Sequence, residues 1–211
     1  PFHSVFYAND GVTACLGAHS GRDGGIVIAG TGSVALAMVD GRELRLGGYG
    51  FPISDEGSGA EMGVQAIRAA LRAHDRRARP TALTREFMRR FNNDAYAVVA
   101  WSERATATEF ASFAPRVLQY AEEGDTTARR IATDAARQIG LLVRRLTDFG
   151  TPRVSLLGGL AVPLRAWLDS DVRDALVPPE HDAVAGALLL ARREASGLRS
   201  REARGHSLGS V

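Results

Sequence analysis

The amino-acid sequence predicts an α/β fold in which a meander of three antiparallel strands is followed by a helical insertion and then by a β-α-β-α segment. Three observations lead to this prediction. Glycines are concentrated between Gly21 and Gly63, short apolar runs separated by turn residues lie in the same region, and apolar residues recur at helical spacing from residue 81 to residue 149. A chain of 211 residues is long enough for one large domain or two small ones.

The three strands of the meander are predicted from short apolar runs. Residues 26–29 and 33–39 are two such runs, and residues 43–46 form a third in which apolar and polar side chains alternate. The tight turn Gly30-Thr31-Gly32-Ser33 joins the first two strands, and Asp40-Gly41 between the last two is a typical hairpin signal. Strands joined by turns as short as these pair antiparallel.

Helical spacing of apolar residues follows the meander. A helix is predicted at residues 60–73, after a polar and glycine-rich segment, and the insertion at residues 81–149 is predicted to be entirely helical. The helices of the insertion are expected at residues 83–91, 94–101, 109–122 and 126–146.

A second α/β segment follows the insertion. Residues 154–157 form an apolar strand that ends in Gly158-Gly159, and a helix is predicted from Pro163. A short strand is then expected at residues 175–177, and Asp182 opens the last helix.

The sequence also predicts the domain organisation. Residues 1–20 have the pattern of the end of an earlier domain, with a strand at residues 3–7, a turn at Asn9-Asp10-Gly11 and a helix at residues 12–18. Residues 21–197 are expected to form the main domain, and residues 198–211, rich in Arg, Gly and Ser, a flexible tail. We therefore expect the chain to be the C-terminal part of a two-domain protein.

Composition excludes several classes of protein. The 26 basic side chains are all arginines, so the chain cannot use a Walker A loop, a pyridoxal Schiff base or the strand lysine of a protein kinase. The single cysteine, Cys15, cannot form an internal disulfide or hold an iron–sulfur cluster, and a reducing cytoplasm fits this composition best.

Charge and hydropathy exclude further partners. The formal charge is only +2 and the arginines are scattered among acidic residues, so nucleic-acid binding is not expected. No apolar stretch approaches the roughly 18 residues of a membrane span, so no membrane partner is expected. The five histidines lack metal-ligand spacing, and no metal held by the protein's own side chains is expected.

Two glycine-rich turns are candidates for binding a nucleotide. In the turn Gly30-Thr31-Gly32-Ser33, backbone amides and two hydroxyls can point at phosphate oxygens, although a plain hairpin turn would use the same residue types. Gly158-Gly159 leaves no side chain to block an adenosine, although glycines at a strand end also permit close packing. The residues alone do not decide between these interpretations.

Three carboxylates are candidates for substrate chemistry. Asp10, at a strand-to-helix turn, can act as a general base toward a substrate hydroxyl or can cap the helix. Asp55 and Glu56 can accept hydrogen bonds from sugar hydroxyls, or can stabilise the positive end of the following helix.

Taken together, these segments resemble the BadF/BadG/BcrA/BcrD ATPase family, and within it the N-acetylglucosamine and glucosamine kinases. The resemblance runs from about residue 5 to residue 195. The motifs that carry it are Asn9-Asp10, residues 25–33, Gly47-Gly48-Tyr49-Gly50, Asp55-Glu56-Gly57-Ser58, Leu156-Leu157-Gly158-Gly159 and residues 182–187. Ser54 stands where the family has glycine, and Tyr49 where it usually has tryptophan.

The resemblance implies two ribonuclease-H-like domains of the sugar kinase, heat-shock protein and actin superfamily, which close on ATP, Mg²⁺ and an amino sugar. It implies phosphorylation of the sugar 6-hydroxyl, with Asp10 as catalytic base. It assigns the sugar to Asn9, Gly48, Tyr49 and Asp55, and the nucleotide to Gly30, Thr31, Gly32, Ser33, Gly158 and Gly159. The family's first phosphate loop, of the type Asp-Gly-Gly-Gly-Thr, is missing from the chain, and a homodimer is left open.

Two other hypotheses stay open. An ATPase activator of the same family would need cysteines that ligate a cluster, and Cys15 alone argues against it. A catalytically silent sugar-sensing protein would keep Asp55 but would not need both nucleotide motifs. Because both motifs are present, the kinase is the preferred hypothesis.

Overall fold

A computed structural model describes residue 5 and residues 7–206, with side-chain surroundings described as far as residue 196. Its centre is a four-stranded mixed sheet with strand order β3-β2-β1-β4. The strands are β1 (Gly24–Ala29), β2 (Ser33–Val39), β3 (Arg42–Gly47) and β4 (Val154–Leu157). The first three form the predicted antiparallel meander, and β4 pairs parallel to β1.

Ten helices are assigned in the described part of the chain. They are α1 (Asp10–Ala18), α2 (Gly59–His74), α3 (Ala82–Arg89), α4 (Ala95–Ser102), α5 (Ala107–Ala111), α6 (Ala114–Glu122), α7 (Thr126–Asp148), α8 (Ala161–Arg165), α9 (Ser170–Ala175) and α10 (Ala183–His206). None of the helices in this part of the chain is long and apolar enough to cross a membrane.

The hairpin between β2 and β3 shows how local sequence sets the register. Asp40 and Gly41 both have positive φ, 50° and 72°, as the two central residues of a type I′ turn require. Pairing then follows in order from Val39 with Arg42 to Val34 with Gly47. The predicted turn chemistry is confirmed.

Alternation along the strands divides the core between the two faces of the sheet. Val27 and Ala35 lie in the larger core with residues of α2 and α7, whereas Ile26 and Leu36 pack with Cys15 and its neighbours on α1. The helical insertion covers the first face, and α1 covers the second.

Helices α1 and α10 approach each other closely through a pair of glycines. A Cβ atom placed on Gly17 would lie 1.9 Å from the Asp182 carbonyl oxygen, and one on Gly186 would lie 1.8 Å from the Thr13 carbonyl oxygen. Only glycine fits at either position. This contact holds the start of the last helix against α1, which begins at Asp10.

The structure corrects the predicted elements at three places in the insertion and the segment that follows it. The single helix predicted at residues 109–122 is two, α5 and α6, because the chain turns at Ser112-Phe113 and Pro115 begins a new helix. The predicted strand at residues 175–177 is only an isolated parallel bridge of Leu176 with Val154, because α9 occupies the chain up to Ala175. The helix predicted from Pro163 begins two residues earlier, at Ala161.

The predictions at the two ends of the chain have different outcomes. The last helix continues to His206, so the segment predicted to be a flexible tail is helical as far as the structure describes it, and residues 207–211 lie outside the described residues. Most of the strand predicted at residues 3–7 also lies outside them, and Val5 and Tyr7, which are described, are not in a strand. Helix α1 begins at Asp10, two residues before the predicted start.

Candidate functional site

The two glycine-rich turns meet at one edge of the sheet. Because β1 and β4 are parallel neighbours, the turns that follow them emerge side by side. A Cβ atom placed on Gly30, just after β1, would lie 4.0 Å from the backbone nitrogen of Gly159, just after β4. Motifs that are 128 residues apart in the sequence (158 − 30) therefore form one continuous surface.

The structural reasons for a glycine differ between positions 158 and 159. Gly158 has φ of +92°, and a Cβ there would lie 2.4 Å from the Ala29 carbonyl oxygen, so close packing alone explains this glycine. A Cβ on Gly159 would meet nothing within 4 Å. Its backbone is open to the solvent beside Gly30, so a bound molecule can approach it directly.

The turn Gly30–Ser33 is supported from below by the start of helix α2. Gly59 N–H donates to the Gly30 carbonyl (2.8 Å) and Ala60 N–H donates to the Thr31 carbonyl (3.2 Å). In the described part of the chain, no acceptor faces the N–H groups of Thr31 and Gly32. Adjacent backbone donors without a protein acceptor fit a phosphate group.

The Ser33 and Thr31 side chains differ in exposure and in hydrogen bonding. Thr31 is exposed, but Ser33 is 5% exposed, and its hydroxyl donates to the Glu56 carbonyl at 2.8 Å. A serine hydroxyl has one proton to donate. The Ser33 side chain therefore binds the following loop in this structure, whereas its assignment to the nucleotide remains a prediction.

Asp55 lies directly against this turn. Its side chain is buried, its Oδ1 accepts from the Ser33 N–H at 3.3 Å, and a Cβ placed on Gly32 would lie 2.9 Å from its Oδ2. Asp55 also has φ of +73°, which is uncommon for a residue with a side chain. The N-cap of α2 is Ser58, whose hydroxyl accepts from Glu61 N–H, so neither Asp55 nor Glu56 caps this helix.

Asn9 and Asp10 lie at the start of α1, on the face of the sheet opposite the insertion. Asn9 is the N-cap: its Oδ1 accepts from Val12 N–H at 2.8 Å, which corrects the alternative in which Asp10 caps the helix. The exposed Asp10 carboxylate accepts only from its neighbour Gly11 N–H (2.8 Å) among the described residues. One side of Asp10 therefore remains open to a substrate.

Asp10 borders two cavities that reach the C-terminal end of β1. One, of about 70 Å³, is lined by Asn9, Asp10 and side chains of β1, β2 and β3. The other, of about 460 Å³, includes Ile28, Leu157 and the first residues of α10. Ile28 belongs to both cavities and lies two residues before Gly30, so the proposed base is near the glycine turns.

Gly48 and Tyr49 follow β3 beside the smaller cavity. Gly48 has φ of +68°, and a Cβ there would lie 2.8 Å from the Val34 side chain, which also lines the cavity beside Asp10. The Tyr49 side chain is 83% exposed and has no contact that fixes it among the described residues. Gly48 thus lies beside Val34, a residue that lines this cavity, whereas the structure gives Tyr49 no defined position relative to Asn9 and Asp10.

Arg45 is a residue at this site that the sequence analysis missed. It lines the same cavity as Asp10, and its guanidinium has neither a hydrogen bond nor an ion pair among the described residues. The alternation of β3 contained a signal, because Leu44 and Leu46 pack on the insertion side and Arg45 must face the other side.

Titratable groups with clearly shifted pKa values lie elsewhere. Burial raises the pKa of the Cys15 thiol to about 12, so this cysteine is not a nucleophile. Hydrogen bonding from Arg116 lowers the pKa of Glu86 in the insertion to about 2. Within the described residues, no group of three or more His, Cys, Asp or Glu side chains could hold a metal ion.

A larger cavity, about 700 Å³, lies away from the glycine turns. It runs between α2 and the segment from α4 to α5, with Phe51 and Pro52 at one end. Its lining is mostly apolar, and it is separate from the cavities beside Asp10.

Solved structures show the class of protein to which this fold belongs. A structure from Chromobacterium violaceum, named as a candidate N-acetylglucosamine kinase, is 39% identical with a TM-score of 0.81, over 87% of this chain and 65% of that one. One from Porphyromonas gingivalis is 19% identical with a TM-score of 0.66 over 85% of this chain and 63% of that one, and shows the fold alone. The chain is an α/β domain of the ribonuclease-H-like, actin-like ATPase class.

Sequence comparison then defines the family. The model of the BadF/BadG/BcrA/BcrD ATPase family matches residues 3–191, and the chain belongs to this family. A glucosamine kinase of Vibrio cholerae serotype O1 is 38% identical over 191 residues, which are 90% of this chain and 65% of that protein. An N-acetylmuramic acid/N-acetylglucosamine kinase of Clostridium acetobutylicum is 30% identical over 207 residues, with 90% and 68% covered. The chain thus spans about two thirds of the length of these curated relatives.

Proposed function

We propose that this chain forms the nucleotide-binding part of an amino-sugar kinase, which transfers the γ-phosphoryl group of ATP to the 6-hydroxyl of glucosamine or N-acetylglucosamine. The observation that carries the proposal is the meeting of the Gly30–Ser33 turn and Gly158-Gly159 at one edge of the sheet, beside Asp55 and near Asp10. The names of the relatives supply the substrate class.

The phosphates are assigned to the Gly30–Ser33 turn. The N–H groups of Thr31 and Gly32, together with the exposed Thr31 hydroxyl, bind phosphate oxygens, and the open backbone at Gly159 accommodates the adenosine. Mg²⁺ bound to ATP supplies charge neutralisation at the transferred phosphoryl group. Because the chain has no lysine, its own contribution at the phosphates comes mainly from backbone dipoles.

The sugar is assigned to the face of the sheet where Asp10 lies. Asp10 accepts the proton of the attacking hydroxyl, a role worth roughly 10²–10⁴-fold in rate for a general base. Asn9, Gly48, Tyr49 and Asp55 bind the remaining polar groups of the sugar. Asn9 uses its oxygen to cap α1, so its amide N–H₂ is the group that has no partner among the described residues and can donate to the sugar.

The domain assignment belongs to the same proposal. Residues 21–197 act as the C-terminal domain of a two-domain kinase, with residues 1–20 ending the first domain and residues 198–211 forming a C-terminal extension. The activity is therefore proposed for the full-length protein. A reduced Cys15 and the use of ATP fit the cytoplasm as its location.

The decisive experiment is a substrate panel with ADP formation as readout. The full-length protein is incubated with ATP, Mg²⁺ and either glucosamine, N-acetylglucosamine, N-acetylmuramic acid or glucose, and the product is analysed by NMR. We expect phosphorylation at oxygen 6 of an amino sugar, with glucose much poorer. Phosphorylation at another position, or ATP hydrolysis that no sugar accelerates, would contradict the proposal.

A further inference from the structure

We infer that Ser33 is a positioning residue that couples the nucleotide to the sugar, and that it does not act mainly as a ligand of the phosphates. The inference rests on the proposed function, because it concerns how the two proposed binding loops act together. It starts from the contacts between the Gly30–Ser33 turn and the loop that carries Asp55 and Glu56.

Ser33 joins the two loops through both its backbone and its side chain. Its N–H donates to Asp55 Oδ1 (3.3 Å), and its hydroxyl donates to the Glu56 carbonyl oxygen (2.8 Å). Ser33 and Asp55 are both buried, at 5% and 8% exposure, so solvent does not easily replace these bonds. The single hydroxyl proton cannot also be donated to a phosphate.

Asp55 needs such a support because of its backbone. With φ of +73°, it lies in the left-handed region, which is uncommon for a residue with a side chain although aspartate tolerates it better than most, so contacts that hold the loop help to keep this conformation. A Cβ on Gly32 would lie 2.9 Å from Asp55 Oδ2, so the absence of a side chain at Gly32 makes room for the carboxylate. The turn therefore shapes the loop that is proposed to bind the sugar.

A phosphate bound to the free N–H groups of Thr31 and Gly32 would fix the turn and, through Ser33, the Asp55–Glu56 loop. Without the nucleotide, the sugar must itself order the Asp55–Glu56 loop when it binds. With the nucleotide bound, part of this loop order is already present. Coupling between two binding sites is reciprocal, so the sugar must tighten nucleotide binding by the same factor. The consequence is synergistic binding that depends on the Ser33 hydroxyl.

The test compares Ser33→Ala with Ser155→Ala. Ser155 is an apt control because it is also buried, and its hydroxyl also donates to a backbone carbonyl, that of Val177, at 2.9 Å. Calorimetry on the full-length protein measures the affinity of a non-hydrolysable ATP analogue with and without N-acetylglucosamine or glucosamine, and the sugar's affinity with and without the analogue. We expect about tenfold mutual tightening in the wild type and in Ser155→Ala, and less than about twofold in Ser33→Ala.

A second measurement needs no sugar. Hydrogen–deuterium exchange of residues 54–58 should slow when the ATP analogue binds to the wild type, and Ser33→Ala should abolish this protection. Gly32→Ala breaks the same contact from the other side, by displacing the Asp55 carboxylate, and provides the test if Ser33→Ala does not fold. It should likewise lose the coupling.

The inference fails if Ser33→Ala weakens the ATP analogue alone while the mutual tightening stays at its wild-type value, because the hydroxyl would then be a phosphate ligand. It also fails if residues 54–58 are protected equally in both proteins. A wild type that binds the analogue and protects residues 54–58, but binds no amino sugar, would instead contradict the proposed function and leave the link through Ser33 supported.

Discussion

At the residue scale, Asp10 is the side chain whose role is most directly testable. Its carboxylate is exposed and, among the residues that the structure describes, accepts only a local hydrogen bond, and the N-cap function belongs to Asn9. Removing its charge should therefore not unfold α1. The Asp10 side chain contributes little to the stability of the fold, so its proposed catalytic role can be measured separately.

We expect Asp10→Asn in the full-length protein to lower kcat at least about a hundredfold while the affinity for the sugar changes only a few fold, as loss of a general base predicts. Steady-state kinetics and sugar binding measure the two effects. Glu103→Gln, an exposed carboxylate just after α4, is the control and should keep wild-type kinetics. A nearly normal kcat in Asp10→Asn would exclude the base.

Arg45 provides a prediction about substrate choice. Its guanidinium lines the cavity beside Asp10 and has no partner among the described residues, so it would repel the ammonium group of a glucosamine bound there, but not the neutral acetamide of N-acetylglucosamine. We expect Arg45→Gln to raise kcat/KM for glucosamine about threefold at low salt, with little change for N-acetylglucosamine. Equal effects on both sugars would mean that Arg45 does not face the amino substituent.

At the element scale, the contact between α1 and α10 should determine whether Asp10 is held in place. A Cβ on Gly186 would meet backbone atoms of α1, which cannot move aside as a side chain can. We expect Gly186→Ala to lower the free energy of unfolding by more than about 2 kcal/mol, as an overpacked core position does, and to reduce kcat. Urea unfolding and kinetics measure both.

Gly140→Ala on α7 is the matched control. A Cβ there would lie 3.3 Å and 3.4 Å from side-chain atoms of Val172 and Arg144, which can shift, and alanine favours a helix more than glycine does. We expect Gly140→Ala to change the free energy of unfolding by less than about 1 kcal/mol and to leave kcat unchanged. A similar loss of stability and of kcat in Gly186→Ala and Gly140→Ala would mean that the contact between α1 and α10 has no special importance.

Within the insertion, Glu86 joins α3 to α6. It accepts hydrogen bonds from Arg116 and from the Tyr120 hydroxyl (2.6 Å) and is 20% exposed. The pKa of Glu86 is lowered to about 2, so the ionised form stabilises the fold above the pKa of the unfolded chain, and this stabilisation is lost as the pH falls toward 2.

We therefore expect Glu86→Gln to destabilise the protein by about 1–2 kcal/mol at pH 7 and by much less near pH 2.5. Unfolding by urea at several pH values measures the difference. Glu122→Gln, on the exposed end of α6, is the control and should leave the free energy of unfolding at pH 7 within about 0.5 kcal/mol of the wild type. If the difference in unfolding free energy between Glu86→Gln and the wild type is constant across the pH range, the ionised state of Glu86 does not contribute to stability.

At the scale of the whole molecule, the proposed site is open on one side. Asp10, Thr31, Tyr49 and Gly159 are all exposed in the described part of the chain. Water has access to all four, and a transferred phosphoryl group at this surface would not be shielded from it. An open surface also gives little of the rate advantage that comes from holding two substrates in line.

We expect residues 1–211 by themselves to bind ATP weakly and to phosphorylate no amino sugar above background, and the full-length protein to be active. Calorimetry with ATP and the ADP-formation assay on both proteins check this. Turnover of glucosamine or N-acetylglucosamine by residues 1–211 at a usual kinase rate, on the order of 1–100 s⁻¹, would contradict the two-domain proposal.

Much of the fold was predictable from sequence because it depends on local signals. The Asp40-Gly41 turn fixed the β2–β3 register, and helical spacing defined the insertion to within a few residues. The prediction was wrong where tertiary packing competes with local preference. The strand expected at residues 175–177 is a single bridge, because α9, held by ion pairs of Arg144 with Asp169 and Asp171, uses the preceding residues.

The family, the strand order of the meander and the types of residue in the candidate site could be inferred from the amino-acid sequence, since motifs and turn signals consist of neighbouring residues. Three further facts required the folded chain: Gly30 and Gly159 share one surface, the Ser33 hydroxyl binds the Asp55–Glu56 loop, and Arg45 lies beside Asp10. These facts depend on which strands are neighbours and on which way side chains point after packing. Residues far apart in the chain meet only when the sheet and its covering helices have formed.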